Sequence, residues 1–218
     1  MDVDDGKVLA WTETERLSVA DLLEGLAEKD WAADTLCPKW TVHEMAAHLA
    51  LSPRTGLKDT ILGAIKAKGN WDRMTADQAI DHAARFEPAE LIAQIREDAG
   101  SDHRSPGAKP IDPLADVLIH GQDIVRPLGL TRPMPEGPAI ASLEHILASP
   151  FWGARKRCKG VKMIATDADW TGGEGPDEVR GPLADLLMAA TGRGTGLAAL
   201  TGSGKAHIGA HCNPPVSV

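Results

Sequence analysis

The helical pattern between residues 12 and 149 is the feature that most constrains the fold of this chain. Apolar residues recur there at helical spacing, in segments that Pro- and Gly-containing connections separate. The predicted helices lie near residues 17–26, 42–51, 57–68, 75–86, 88–98, 113–125 and 139–148. Short amphipathic helices bury their apolar faces by packing against one another, so this region predicts a helical bundle.

The pattern changes after residue 150. Residues 161–166 are typical of a strand, residues 178–180 of a second short strand, and residues 182–190 of an apolar helix that ends at a Gly-rich turn. We therefore expect two domains, a helical bundle over residues 1–150 and a small α/β domain over residues 151–218. The predicted class is α+β, mainly α.

Composition excludes several functional classes. The chain has 31 acidic and 23 basic residues, a net charge of −8, and no long Lys/Arg run, which argues against nucleic-acid binding. Its three cysteines, Cys37, Cys158 and Cys212, are far apart and fit neither a disulfide framework nor a CxxC metal pattern. There is no apolar leader, and no apolar run approaches the ~18–20 residues that cross a bilayer. We expect a cytoplasmic protein without a membrane partner, either monomeric or homodimeric.

One motif resembles a zinc-protease signature but has the wrong spacing. His43 and His48 are five residues apart, whereas the H-E-x-x-H motif needs two histidines at i and i+4 on one helix face. At about 100° per residue the two side chains point about 140° apart. Thr41 and Glu44 are better explained as a capping box that begins the helix.

A second segment has suitable spacing for a metal site. Asp116 and His120 are at i and i+4 on a helix that should begin at Pro113, and Asp123 continues the same stripe. Burying these polar side chains among apolar neighbours would cost free energy, so a buried stripe of this kind would indicate a functional site. The alternative is that it forms the solvent face of an amphipathic helix.

A metal site needs a further ligand, and His48 is the candidate. Two histidines and one carboxylate from two helices of a bundle form a common inward-facing site. That ligand set, with a coordination position left open, suits zinc or another borderline divalent ion. The alternative for His48 is a structural histidine at the edge of the core.

These segments resemble a known family. Residues 40–49 (WTVHEMAAHL) and 116–129 (DVLIHGQDIVRPLG) are similar to two helices of the mycothiol-dependent maleylpyruvate isomerase-like proteins. Residues 165–170 and 181–193 resemble the small C-terminal domain of that family, and the resemblance spans about residues 12–205. It implies a DinB-like up-down four-helix bundle followed by the α/β domain.

The resemblance also implies a ligand set. The family binds a metal, usually zinc, through one histidine of the first motif and a glutamate and a histidine of the second. By position these are His48, Asp116 and His120. Asp116 replaces the usual glutamate and is one methylene shorter, so the helices must approach more closely or the ion must shift.

The implied activity uses an external thiol. Mycothiol would bind at the open metal position as a thiolate and attack a small electrophilic substrate, as an isomerase or a transferase. Asp123 would accept a hydrogen bond from a ligating imidazole; the alternative is a surface carboxylate that pairs with Arg126. Arg54 and Arg193 would bind carboxylates of the substrate or thiol, unless they are ordinary surface residues. A metal-dependent hydrolase and a non-catalytic metal- or ligand-binding bundle remain alternatives.

Overall fold

The computed structural model of the protein describes residues 3–212, except for the side chains at positions 59, 64 and 72. The chain divides into two compact units, one spanning Val3–Thr131 and the other beginning at Arg132. The first unit is helical, and the second combines helices with a small sheet. None of the helices in the described part of the chain is long and apolar enough to cross a membrane.

Six α-helices form the first unit. They are α1 (Asp5–Glu24), α2 (Val42–Leu51), α3 (Leu57–Lys66), α4 (Trp71–Ala83), α5 (Pro88–Glu97) and α6 (Asp112–Val125), with short 3-10 helices at Glu28–Ala32 and Ser52–Arg54. Helix α1 packs against α5 and α6, and α2 packs against α4, α5 and α6. The α1, α2, α5 and α6 helices thus surround one apolar core, which contains Leu23, Met45, Leu91, Ile95, Leu114 and Leu118.

Helix starts follow local capping chemistry. The capping box predicted for α2 is present: the Thr41 amide donates to the Glu44 carboxylate at 2.8 Å. Helix α1 begins earlier than the sequence indicated, where Asp4 accepts a hydrogen bond from the Lys7 amide. Its first half was missed because polar residues lie on its buried face, among them Arg16, so hydrophobic periodicity is weak there.

The second unit contains the sheet. Its elements are α7 (Glu136–Ala148), α8 (Ala154–Arg157), β1 (Val161–Ala165), β2 (Thr171–Gly172), β3 (Asp177–Gly181), α9 (Leu183–Ala190), a 3-10 helix at Gly194–Ala199 and α10 (Lys205–Gly209). The strand order is β2-β1-β3, with β2 antiparallel and β3 parallel to β1. Helix α9 packs against β1 and β3. The predicted α+β, mainly α class is confirmed.

The boundary between the units lies between Thr131 and Arg132, whereas the sequence placed it near residue 150. The reason is that α7 packs against α8 and α9 and therefore belongs to the second unit. The Pro-rich segment 130–138 contains this boundary.

A close backbone approach fixes the turn between β2 and β3. Gly175 has a φ of 153°, and a Cβ atom there would lie 2.0 Å from the Gly160 carbonyl oxygen. Only glycine fits this position without moving the backbone.

Candidate metal centre

Helices α2 and α6 bring three metal-binding side chains together. His48 lies in the last turn of α2, and Asp116 and His120 lie one turn apart on α6. The His48 Nε2 atom is 3.2 Å from Asp116 Oδ2, and the His120 Nε2 atom is 3.2 Å from Asp116 Oδ1. The two imidazole rings are 5.0 Å apart between centroids. The carboxylate therefore lies between two imidazoles, and the shorter aspartate reaches both.

This geometry fits a tetrahedral cation site. Two ligand atoms that are 2.0–2.2 Å from one ion at a tetrahedral angle lie about 3.4 Å apart. Both measured separations, 3.2 Å, are close to that value. Donor atoms from all three residues lie within 4.8 Å of one another. Three such ligands leave a coordination position for a further molecule.

The three side chains are partly shielded from water and strongly coupled. His48 and His120 expose 15% and 12% of their side chains, and Asp116 exposes 25%. Burial raises the pKa of Asp116, but the positive charges and hydrogen bonds of His120 and His48 outweigh it and bring that pKa well below its usual range. Burial lowers the pKa of His120, and its contacts with Asp116 and Asp123 overcome this and raise it. The stripe on α6 is therefore not a solvent face.

Asp123 supports His120 from the opposite side. Its Oδ2 atom lies 2.9 Å from His120 Nδ1, and its side chain is fully buried. A carboxylate at this distance accepts a hydrogen bond from Nδ1–H, which leaves Nε2 as the ring nitrogen that faces Asp116. The structure thus places Asp123 where the sequence analysis expected an orienting group; its effect on metal binding stays a prediction.

Cys37 is a neighbour that the sequence analysis set aside. Its Sγ atom donates to Asp123 Oδ2 at 3.4 Å and lies 3.9 Å from His120 Nδ1. Cys37 follows a loop residue, Leu36, whose amide donates to the Asp123 carbonyl oxygen. It was missed because no periodic or pairwise spacing links this loop to α6.

Trp40 covers the two histidines. Its ring centroid lies 5.1 Å from that of His48 and 6.2 Å from that of His120, and the residue is 7% exposed. The indole therefore forms an apolar wall that excludes water from one side of the imidazole pair.

The chain resembles proteins of one known family. The sequence model described as the mycothiol maleylpyruvate isomerase N-terminal domain matches residues 12–122, which is 111 of the 218 residues and includes all three candidate ligands. The chain belongs to this family.

Two solved structures share the fold of this family member. The crystal structure of a mycothiol-dependent maleylpyruvate isomerase has a TM-score of 0.64 and 15% sequence identity, with 98% of this chain and 96% of that chain covered. A histidine-to-alanine mutant of the mycothiol-dependent maleylpyruvate isomerase gives a TM-score of 0.63 with the same identity and coverage. Among curated proteins, none matches the sequence closely enough to count as a relative.

The other residues that the sequence proposed or weighed for a site have contacts within their own units. Arg54 forms ion pairs with Glu97, at 2.6 Å, and with Asp98, so its guanidinium is committed to the end of α5. Arg193 lies in the second unit, where its Nη1 donates to the Thr191 carbonyl oxygen; its proposed anion contact stays a prediction. His43 Nε2 lies 3.0 Å from the Phe86 carbonyl oxygen, away from the group that contains His48.

Arg16 is a charged residue of the first unit that the sequence analysis did not identify. It lies on α1, which packs against α6, and it is 5% exposed. Burial lowers its pKa, whereas the negative charges of Asp116 and Asp98 raise it. A buried guanidinium therefore lies within electrostatic reach of the candidate metal centre. An arginine on the inner face of a helix would have been the signal, but apolar periodicity alone does not identify such a position.

Proposed function

We propose that this protein is a metal-dependent enzyme that adds a low-molecular-weight thiol, mycothiol, to a small electrophilic substrate, as an isomerase or a transferase. The observation that supports the proposal most directly is the convergence of His48, Asp116 and His120 from α2 and α6, in a chain that belongs to the mycothiol maleylpyruvate isomerase N-terminal domain family.

In this proposal the three side chains hold a divalent cation, and zinc suits two imidazoles and one carboxylate best. A bound zinc ion would lower the pKa of a coordinated thiol, so that the thiolate is present near neutral pH. The protein's own residues orient the reactants. Asp123 Oδ2 accepts a hydrogen bond from His120 Nδ1, 2.9 Å away, so that Nε2 would be the nitrogen that binds the ion. Trp40 keeps water from one side of the imidazoles.

The two reaction types share one bond-forming step. The thiolate sulfur forms a bond to an electrophilic carbon of a conjugated double bond, whose electron pair moves onto the conjugated acceptor group. If the adduct rotates about the former double bond and then expels the thiolate, the net reaction is an isomerisation. If the adduct takes up a proton and leaves with its thioether, the net reaction is a transfer. The lifetime of the adduct therefore decides between isomerase and transferase.

Metal content tests the site. We expect about one divalent ion per chain in the purified wild-type protein and a loss of most of it in His48→Ala, measured by elemental mass spectrometry. His43→Ala is the matched control, because His43 is on the same helix but contacts Phe86, and it should retain the ion. Full metal content in His48→Ala would contradict the three-ligand site.

Thiol dependence tests the activity. We expect wild-type protein to consume a conjugated electrophile only when mycothiol is present, with maleylpyruvate as the first compound to test, and His48→Ala to lose that activity. Turnover of a substrate by water, without thiol, would favour a metal-dependent hydrolase instead. Metal binding without turnover of thiol and electrophile would favour a binding protein.

A further inference from the structure

One edge of the buried Arg16 guanidinium makes no hydrogen bond to the described residues. The hydrogen bonds that the structure describes for Arg16 come from Nη1, which donates to the carbonyl oxygens of Asp98, Ala99 and Ser101 at 3.1, 3.1 and 2.9 Å. Its Nε and Nη2 atoms have no hydrogen-bond partner among the described residues. Both atoms nevertheless keep some solvent-accessible surface. Water can therefore reach this edge.

The charge of Arg16 is not neutralised by a contacting carboxylate within the described residues. Both oxygens of Asp116 are close to histidines, at 3.2 Å each. The Asp98 carboxylate pairs with Arg54, so Arg16 contacts only the carbonyl oxygen of Asp98. A buried cation without an ionic partner is costly, and an anion that binds to its free edge would remove that cost.

The shape of the free edge selects the kind of anion. The Nε and Nη2 atoms of arginine form a planar pair of donors that fits the two oxygens of a carboxylate. Arg16 lies on α1, which packs against α6, the helix that carries Asp116 and His120, and the charge of Asp116 acts on it.

We propose that Arg16 binds a carboxylate of the electrophilic substrate, so that the enzyme prefers unsaturated carboxylic acids to their uncharged esters. This inference rests on the proposed thiol-dependent function. The Nη1 atom anchors the guanidinium to the 98–101 segment, and the Nε–Nη2 edge orients the substrate beside the three candidate ligands.

Equilibrium binding tests the proposal without turnover. The probes are fumarate and its dimethyl ester, because they share the electrophilic double bond and differ in charge. Binding to the purified protein is measured by isothermal titration calorimetry. We expect Arg16→Gln to bind fumarate about 10- to 100-fold more weakly and the diester unchanged. Arg96→Gln is the matched control, because Arg96 is an arginine of the same unit that pairs with Asp21 and Glu24 at the surface.

Kinetics with mycothiol provide the second readout. In Arg16→Gln we expect the KM for monomethyl fumarate to rise about 10-fold or more, and the KM and kcat for dimethyl fumarate to stay within about twofold of wild type. Arg16→Lys keeps the charge but not the planar fork, so its loss for the acid should be intermediate. It also serves if Arg16→Gln does not fold.

The outcomes separate this inference from the proposed function. Equal losses for the acid and the diester in both variants would overturn the inference and leave Arg16 as an anchor for residues 98–101. If fumarate binding depends on Arg16 but the wild-type protein forms no thiol adduct from any of these electrophiles, the carboxylate site is supported and the proposed thiol chemistry fails.

Discussion

Replacement of Asp123 by asparagine tests how much the buried carboxylate strengthens the metal centre. Asp123 is fully buried and accepts hydrogen bonds from His120 Nδ1 at 2.9 Å and from Cys37 Sγ at 3.4 Å. Asparagine keeps the shape of the side chain but removes the negative charge. A hydrogen bond to a carboxylate is roughly twice as strong as one to a neutral acceptor, and it makes the other imidazole nitrogen a better ligand.

The expected loss of zinc affinity in Asp123→Asn is about 10- to 100-fold. This corresponds to about 1.4–2.7 kcal/mol of binding free energy. Competition with a chromophoric chelator of known affinity measures the change. Asp21→Asn is the control, because Asp21 is an exposed carboxylate of the same unit that pairs with Arg96. An affinity for Asp123→Asn within about twofold of wild type would refute the orienting role of Asp123.

Three further changes test other parts of the structure. Arg54→Ala should reduce the free energy of unfolding, measured by urea titration, by about 1 kcal/mol, because its ion pairs with Glu97 and Asp98 are lost. The metal content of the folded variant should equal that of the wild type, and a loss of metal would contradict this. Burial raises the pKa of the Cys158 thiol from 9.0 to about 11, so unfolded chains release this proton first and the free energy of unfolding should fall by about 2 kcal/mol as pH rises from 9 to 11. Cys158→Ala should reduce that fall in denaturant titrations at several pH values. Gly175→Ala should lower the free energy of unfolding by more than about 3 kcal/mol, because its Cβ would meet the Gly160 carbonyl oxygen. Gly160→Ala should lower it by about 1 kcal/mol, because the added Cβ would have no atom within 4 Å. Thermal unfolding measures both changes.

Local signals predicted much of the first unit. The capping box of Thr41 and Glu44 begins α2, and the four-residue spacing of Asp116 and His120 directs both side chains to one face of α6. These signals depend only on neighbouring residues, which a sequence displays directly. That His48 meets them across two helices was a hypothesis from its residue type, which the family resemblance supported, because no local rule relates residues so far apart.

Tertiary contacts decided what the sequence did not predict. Cys37 reaches Asp123 from a loop, and Arg16 reaches residues 98–101 from a helix that begins earlier than its apolar pattern suggested. The compact units divide before α7, whereas the sequence divides its domains after α7, because α7 has the same helical pattern as its predecessors. Its partner, α9, is the element that assigns it to the second unit, and sequence periodicity does not identify packing partners.

The separation of the candidate ligands along the chain has a consequence for folding. His48 and Asp116 are 68 residues apart, and α3, α4 and α5 lie between them. A cation bound by both residues closes that loop as a removable cross-link. A covalent link that closes a loop of this length reduces the entropy of the unfolded chain by an amount equivalent to about 4 kcal/mol at 25 °C. If an ion binds at the proposed site, it would therefore stabilise the folded chain as well as serve the proposed chemistry, and a chelator would lower the free energy of unfolding.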